Sequence, residues 1–227
     1  MNREKRPFEL YVFDWDGTLM DTTRFIALSI QQAARSLGYP EPSFAVAESV
    51  IGLGHEDMMR RAVPECPASD YERFAAEYWK AYIGQEAGLP GLHPGIEALL
   101  SNMKRSGLWL AVATGKSRGG LNRVFRKTGA GPLFVATKTA DETASKPAPD
   151  MLIELSEELC VPAPRMVMVG DAAHDLEMGR AAGVPAIGVT WGAARRESLE
   201  ALSPRAVVDD VPQLARAMGV EDLLPAA

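Results

Sequence analysis

Four short stretches of this 227-residue chain carry side chains suited to chemistry on anions. The first reads Asp14-Trp15-Asp16-Gly17-Thr18. Two carboxylates two residues apart, directly after the apolar run Glu9–Phe13, are costly to bring together unless a cation or a reaction uses them. Gly17 permits a sharp reversal that would hold the pair close to a ligand. The second stretch, Thr114-Gly115-Lys116, offers a hydroxyl and a glycine amide that can both donate to an anionic oxygen, with Lys116 beside them as a candidate substrate-binding cation. The third, Ser145-Lys146-Pro147-Ala148-Pro149, presents Lys146 as a point cation on a loop stiffened by two prolines. The fourth, Gly170-Asp171-Ala172-Ala173-His174-Asp175, adds two more carboxylates four residues apart. Hard oxygen donors grouped in this way suit Mg²⁺. Asp175 also fits a helix start, where the macrodipole favours an anion. His174 is expected in solvent or behind the ligands.

Each stretch follows a short apolar run that must position it: Glu9–Phe13, Leu108–Ala113, Leu133–Ala136 and Met166–Val169, with Ala186–Val189 and Ala206–Val208 beyond. Continuous apolar runs fit the buried strands of a parallel sheet. Helical patterns lie between them at Gly95–Arg105, Gly120–Thr128, Asp150–Leu159 and Asp175–Ala182. This alternation predicts an α/β fold, a doubly wound parallel sheet, in which ligands bind beyond the carboxyl ends of the strands. Residues 21–88 break the pattern. They read as helices over Thr22–Leu37, Phe44–Val50, His55–Val63 and Asp70–Gln85, too much chain for one crossover. An inserted α-helical cap domain at 21–88, on a core of residues 1–20 and 89–227, is the expected organisation. The tail Leu223–Ala227 is expected to fray.

Four motifs in order, at four successive strand ends, resemble the haloacid dehalogenase (HAD) superfamily of phosphotransferases over essentially the whole chain. Asp14–Thr18 is similar to its first motif, Thr114 to the second, Lys146 to the third and Gly170–Asp175 to the fourth. The helical insertion resembles that family's C1 cap. The Gly-Asp pair with a second Asp four residues on is most similar to the phosphoglycolate phosphatase-like branch. The resemblance implies a HAD-like Rossmannoid core and a Mg²⁺-dependent phosphatase for a small phosphorylated metabolite. Asp14 would attack phosphorus and become an aspartyl-phosphate. Asp16 would protonate the leaving oxygen and then activate water, its pKa raised by the surrounding carboxylates. Thr114, the Gly115 amide and Lys146 would hold the phosphoryl oxygens, and Thr18 would order the loop that carries Asp16. Mg²⁺ would be held by Asp14, the backbone carbonyl of Asp16 and Asp171, with Asp175 as ligand or support. Ala172 departs from the Thr or Ser common in the family, which removes a hydroxyl that could steady Asp171.

Substrate choice would fall to the cap. Gly52-Leu53-Gly54-His55-Glu56-Asp57 resembles the family's specificity loop, with His55 as a candidate contact to an anionic or hydroxylated leaving group. Arg24 and Arg60 are weaker candidates for reading a carboxylate, and Tyr78, Trp79 and Tyr82 read as cap core. A sugar phosphomutase of the superfamily would carry Thr and His eight and twelve residues after the nucleophile. Here those positions are Thr22 and Ile26, which favours hydrolysis. A pyrophosphatase, and a non-enzymatic aspartyl-phosphate switch, remain alternatives.

Composition bounds the rest. Hydrophobic residues make up 47% and charged residues 24%, as in a globular protein. A net charge of −6 argues against nucleic acid as a partner. The sequence has no 18-residue apolar run to suit a membrane, and MNREKRPFEL lacks the apolar core of an export signal. Cys66 and Cys160 lack metal-ligand spacing, so a cytoplasmic location is expected.

Overall fold

The structure is a computed structural model and describes residues 6–225, apart from the side chain of Glu86. Six parallel strands form one sheet in the order β3-β2-β1-β4-β5-β6. They are β1 (Leu10–Phe13), β2 (Trp109–Thr114), β3 (Ala136–Thr139), β4 (Met166–Gly170), β5 (Ala186–Val189) and β6 (Ala206–Val208). All four residues of β1 are buried, because the strand is central and covered on both faces. Its side chains alternate between two apolar layers. Tyr11 and Phe13 face α5 (Ile96–Arg105), α6 (Arg118–Thr128) and α10 (Val211–Met218), whereas Leu10 and Val12 face α7 (Asp150–Leu159), α8 (Ala173–Ala181) and α9 (Arg196–Glu200). The expected doubly wound α/β sheet is the observed one.

Between β1 and α5 the chain forms only helices: α1 (Thr23–Leu37), α2 (Phe44–Ser49), α3 (His55–Ala62) and α4 (Tyr71–Gly84), with short 3-10 turns. Helix α1 packs on α4 and α2, and its buried face (Ile26, Ile30, Ala33, Ala34) joins the same apolar cluster as Phe13, Trp15 and Leu19. The chain leaves and returns to the sheet side by side, where Met20 pairs with Leu92. None of the described helices is long and apolar enough to cross a membrane.

Two expectations shift. The third strand is Ala136–Thr139 and not Leu133–Ala136. Leu133 closes a 3-10 turn, and Phe134 stacks on Phe125 with ring centroids 5.7 Å apart, so the apolar run serves packing before the strand begins. The strand itself lies at the sheet edge and leaves Thr137 and Lys138 half-buried, which hides it from a search for continuous apolar runs. The tail is also anchored as far as Leu223, whose carbonyl accepts a 2.7 Å bond from Asn102. Beside it Arg6 clasps Asp222 and the Gly219 carbonyl. Ala226 and Ala227, like the first five residues of the leader reading, lie outside the described residues.

Leu110 sits fully buried in β2 against the layer that carries Tyr11 and Phe13. Leu110→Ala is expected to lower unfolding free energy by about 2–5 kcal/mol. Urea unfolding would check this, with the loss appearing as a lower midpoint at unchanged slope.

Candidate active site

Because β2, β1 and β4 are neighbours, their carboxyl ends deliver Thr114, Asp14 and Asp171 to one edge. The Asp14 amide continues the ladder by donating to the Val169 carbonyl at 2.9 Å, which holds Asp14 beside the chain leading to Asp171. The loop after β3 brings in Lys146, whose side chain has no exposure. Its Nζ donates to Asp14 Oδ1 and to Asp175 Oδ1, each at 2.6 Å. Burial alone would lower the Lys146 pKa, but the two carboxylates outweigh it and the net shift is upward.

Asp14, Asp171 and Asp175 are all buried and each offers a carboxylate oxygen within 4.8 Å of the others. Three carboxylates face one ammonium. Burial, then the Asp175 charge, pushes Asp171 up to about 7. Asp14 rises for the same first reason, only partly opposed by Lys146. A divalent cation with hard oxygen preference matches both the donor set and the uncompensated charge, so these residues fit Mg²⁺.

Both oxygens of Asp171 are held. Thr18 Oγ1 donates to Oδ1 at 2.6 Å and the Ala193 amide donates to Oδ2 at 2.7 Å. The hydroxyl missing at Ala172 is therefore replaced from two other loops. Thr18 spends its hydroxyl on Asp171, while its own carbonyl accepts from Trp191 Nε1 at 3.0 Å. Thr18, Asp171, Ala193 and Trp191 thus close a ring around the acidic edge. Gly17 makes the ring possible: its φ is 81°, and a Cβ there would lie 2.2 Å from Asp171 Oδ2. Asp175 accepts from the Ala172 amide at 3.1 Å through Oδ2 as well as from Lys146 through Oδ1, so it anchors the start of α8 and the lysine together.

Asp16 lies outside the Asp14–Asp171–Asp175 group, although its charge still acts on Asp14. Its Oδ1 accepts from the Thr22 hydroxyl and lies 2.9 Å from Lys116 Nζ. Lys116 is 8% exposed, and its Nζ stands 5.3 Å from the Tyr82 ring centroid. Burial opposes its charge, but Asp16 and Tyr82 raise its pKa overall. The Thr114 hydroxyl is buried nearby and accepts from the Lys116 amide at 3.2 Å.

The helical segment closes over this edge through backbone. A Cβ on Gly115 would lie 2.2 Å from the Gly52 carbonyl oxygen, and one on Gly52 would lie 2.4 Å from His174 Nε2. The Gly54 amide donates to Ser145 Oγ at 2.6 Å. His174 is accordingly buried beneath the loop, bonded to the Ile51 backbone, and not in solvent. Tyr78 and Trp79 line a small cavity with Asp16, Lys116 and His55, so the aromatic cluster faces the site as well as the helical core. Arg24 is exposed, and Arg60 pairs with Asp57 at the surface.

Residues 11–189 match the family model of the haloacid dehalogenase-like hydrolases. The chain belongs to that family. Among its relatives, a probable phosphatase, IndB, from Dickeya dadantii is 33% identical, with 92% of each chain covered. A plasmid phosphoglycolate phosphatase from Cupriavidus necator is 31% identical over 97% of each chain. The fold matches a solved structure from Haemophilus somnus, described as a predicted phosphoglycolate phosphatase, with TM-score 0.84 at 24% identity over 93% and 98% of the two chains. This HAD hydrolase stands in the phosphoglycolate phosphatase-like branch, as a phosphoric monoester hydrolase.

Several residues of this hydrolase's site carry no motif signal. Thr22 was legible only as a mutase position, yet it bonds Asp16. Trp191 and Ala193 follow β5, and the strand-end rule that located the other loops points to them too.

The raised carboxylates give a signed pH dependence. The native state holds Asp171 protons that the unfolded chain releases, so this contribution is full below the ordinary carboxylate value and is lost as pH rises through about 7. With chelator present, melting temperature should fall from about pH 5 to about pH 8. Saturating Mg²⁺ should raise it by about 5 °C or more at the higher pH and by less at the lower. Equal Mg²⁺ shifts at both values would contradict the assignment.

Proposed function

We propose that this hydrolase is a Mg²⁺-dependent phosphatase that cleaves a small phosphate monoester through an aspartyl-phosphate on Asp14. The observation that carries the reading is the pairing of Asp14, held by the buried Lys146, with Asp16, which lines a separate cavity beneath the helical segment. Asp14 attacks phosphorus as the ester P–O bond breaks, and Asp16 gives its proton to the departing oxygen. Water then attacks the acyl phosphate and returns a proton to Asp16, freeing Asp14 and inorganic phosphate. Lys146, Thr114 and the Gly115 amide would hold the phosphoryl oxygens. Asp14, Asp171 and the Asp16 carbonyl would hold Mg²⁺, with Asp175 behind them, and the ion supplies positive charge against the transferring group.

Residues 21–88 act as the cap over the core of 1–20 and 89–227. Closure over Asp16 supports catalysis in a sheltered chamber, which a signalling switch does not need. Hydrolysis over phosphoryl return to a sugar is supported by Ile26, buried in the chamber wall where a mutase would carry histidine. The phosphoglycolate phosphatase relatives favour phosphoglycolate or an ester of similar size. A reduced cytoplasm suits two free cysteines, of which Cys160 is exposed.

Phosphate release from 2-phosphoglycolate, sugar phosphates and pyrophosphate would test this. Asp14→Asn and chelation are each expected to lower turnover by more than about a thousandfold. An Asp14→Asn protein that retains turnover would overturn the reading.

A further inference from the structure

Two cavities share the cap loop. The inner one, about 30 Å³, lies beside Asp16 and Lys116 under Ile26, Leu53, Met58 and Trp79. The outer one, about 330 Å³, opens between α3 and the loops after β2 and β3. Its size falls within the range of small-ligand sites, about 300–1,000 Å³. His55 and Gly115 line both.

The His55 ring is pinned. It meets Tyr78 and Trp79 edge-on, with centroids 5.4 and 5.8 Å away. Burial, and then the Lys116 charge, lower its pKa, so it stands as a neutral plate and not as an anion receptor. Its Nδ1 is buried and has no hydrogen-bond partner. In either tautomer that nitrogen has a proton or a lone pair left for a hydroxyl. The outer cavity carries Glu56, Asp57 and Asp141 against one guanidinium, Arg60, which Asp57 already engages. Asp141 is committed as acceptor to the Arg118 amide and the Thr139 hydroxyl. Such a lining repels a second anionic group and suits hydroxyls.

We infer that the His55 ring is a partition confining the leaving group to the inner chamber, and that the outer cavity is a latent subsite for a neutral, hydroxylated chain. The inference rests on the phosphatase reading and sets its substrate limit: esters longer than the inner chamber are refused by the ring, although a cleft of suitable size and polarity lies directly behind it.

The test compares kcat/KM for 2-phosphoglycolate, sorbitol 6-phosphate and fructose 1,6-bisphosphate in the wild type and in His55→Ala, His55→Ser and His55→Phe. The two small replacements open the partition with different polarity, so either one can carry the result if the other fails to fold. Each is expected to raise the sorbitol 6-phosphate to phosphoglycolate ratio by about tenfold or more, the scale of one to two pocket contacts. The bisphosphate should gain less. His55→Phe, which keeps a ring, should retain the wild-type ratio. Turnover with an unchanged ratio in the folded small variants, or an equal shift in His55→Phe, would overturn the partition while leaving the phosphatase intact. Absence of turnover of any ester by the wild type would overturn both.

Discussion

One buried ammonium holds this site together. Lys146 has no exposure and bridges Asp14, at the end of the central strand, to Asp175, at the start of α8. Removing one partner of a buried ion pair typically costs about 3–5 kcal/mol, because the remaining charge loses its compensation. Here the lysine compensates only part of the acidic charge, since Asp171 lies in the same cluster. Burial and the neighbouring charges push Asp14 and Asp171 upward, an arrangement that a divalent cation would relieve. The sheet order, the loop after β3 and the start of α8 all converge on that one requirement.

The helical segment meets the acidic edge by a different physical route. Its loop docks through glycines: the Gly52 carbonyl against Gly115, Gly52 itself against the His174 ring, and the Gly54 amide on Ser145 Oγ. Close approach of backbone to backbone leaves a nearly filled chamber beside Asp16, walled by Ile26, Met58 and Trp79. Lys116, held between Asp16 and Tyr82, borders that chamber. The edge thus holds two buried ammonium groups, Lys146 on Asp14 and Asp175 and Lys116 on Asp16.

Much of this was legible because strand ends in a parallel sheet are where the chain can present polar groups without burying loops. That rule pointed to Asp14, Thr114, Lys146 and Asp171; the structure groups Asp14, Asp171 and Lys146, and puts Thr114 at the end of the neighbouring strand. What escaped depends on contacts between distant segments. Thr18 bonds Asp171 across more than 150 residues, and Trp191 reaches Thr18 across more still, so the strand-end rule locates their loops but not these partners. His174 is polar in type but buried by a loop of another element. Edge strand β3 and the five-residue α9 are too short or too mixed for periodicity to register. Helix α10 did carry a readable start, Asp210 capping Gln213 ahead of Pro212 in the first turn.

The central claim is a phosphoryl group carried covalently by one aspartate. Acid-quenching the enzyme during turnover of a phosphate monoester, trapping the acyl phosphate by borohydride reduction and locating the product by peptide mass spectrometry tests it directly. The account predicts modification at Asp14 with Asp16 untouched. Modification at any other residue, or full turnover with no trapped species, would contradict it.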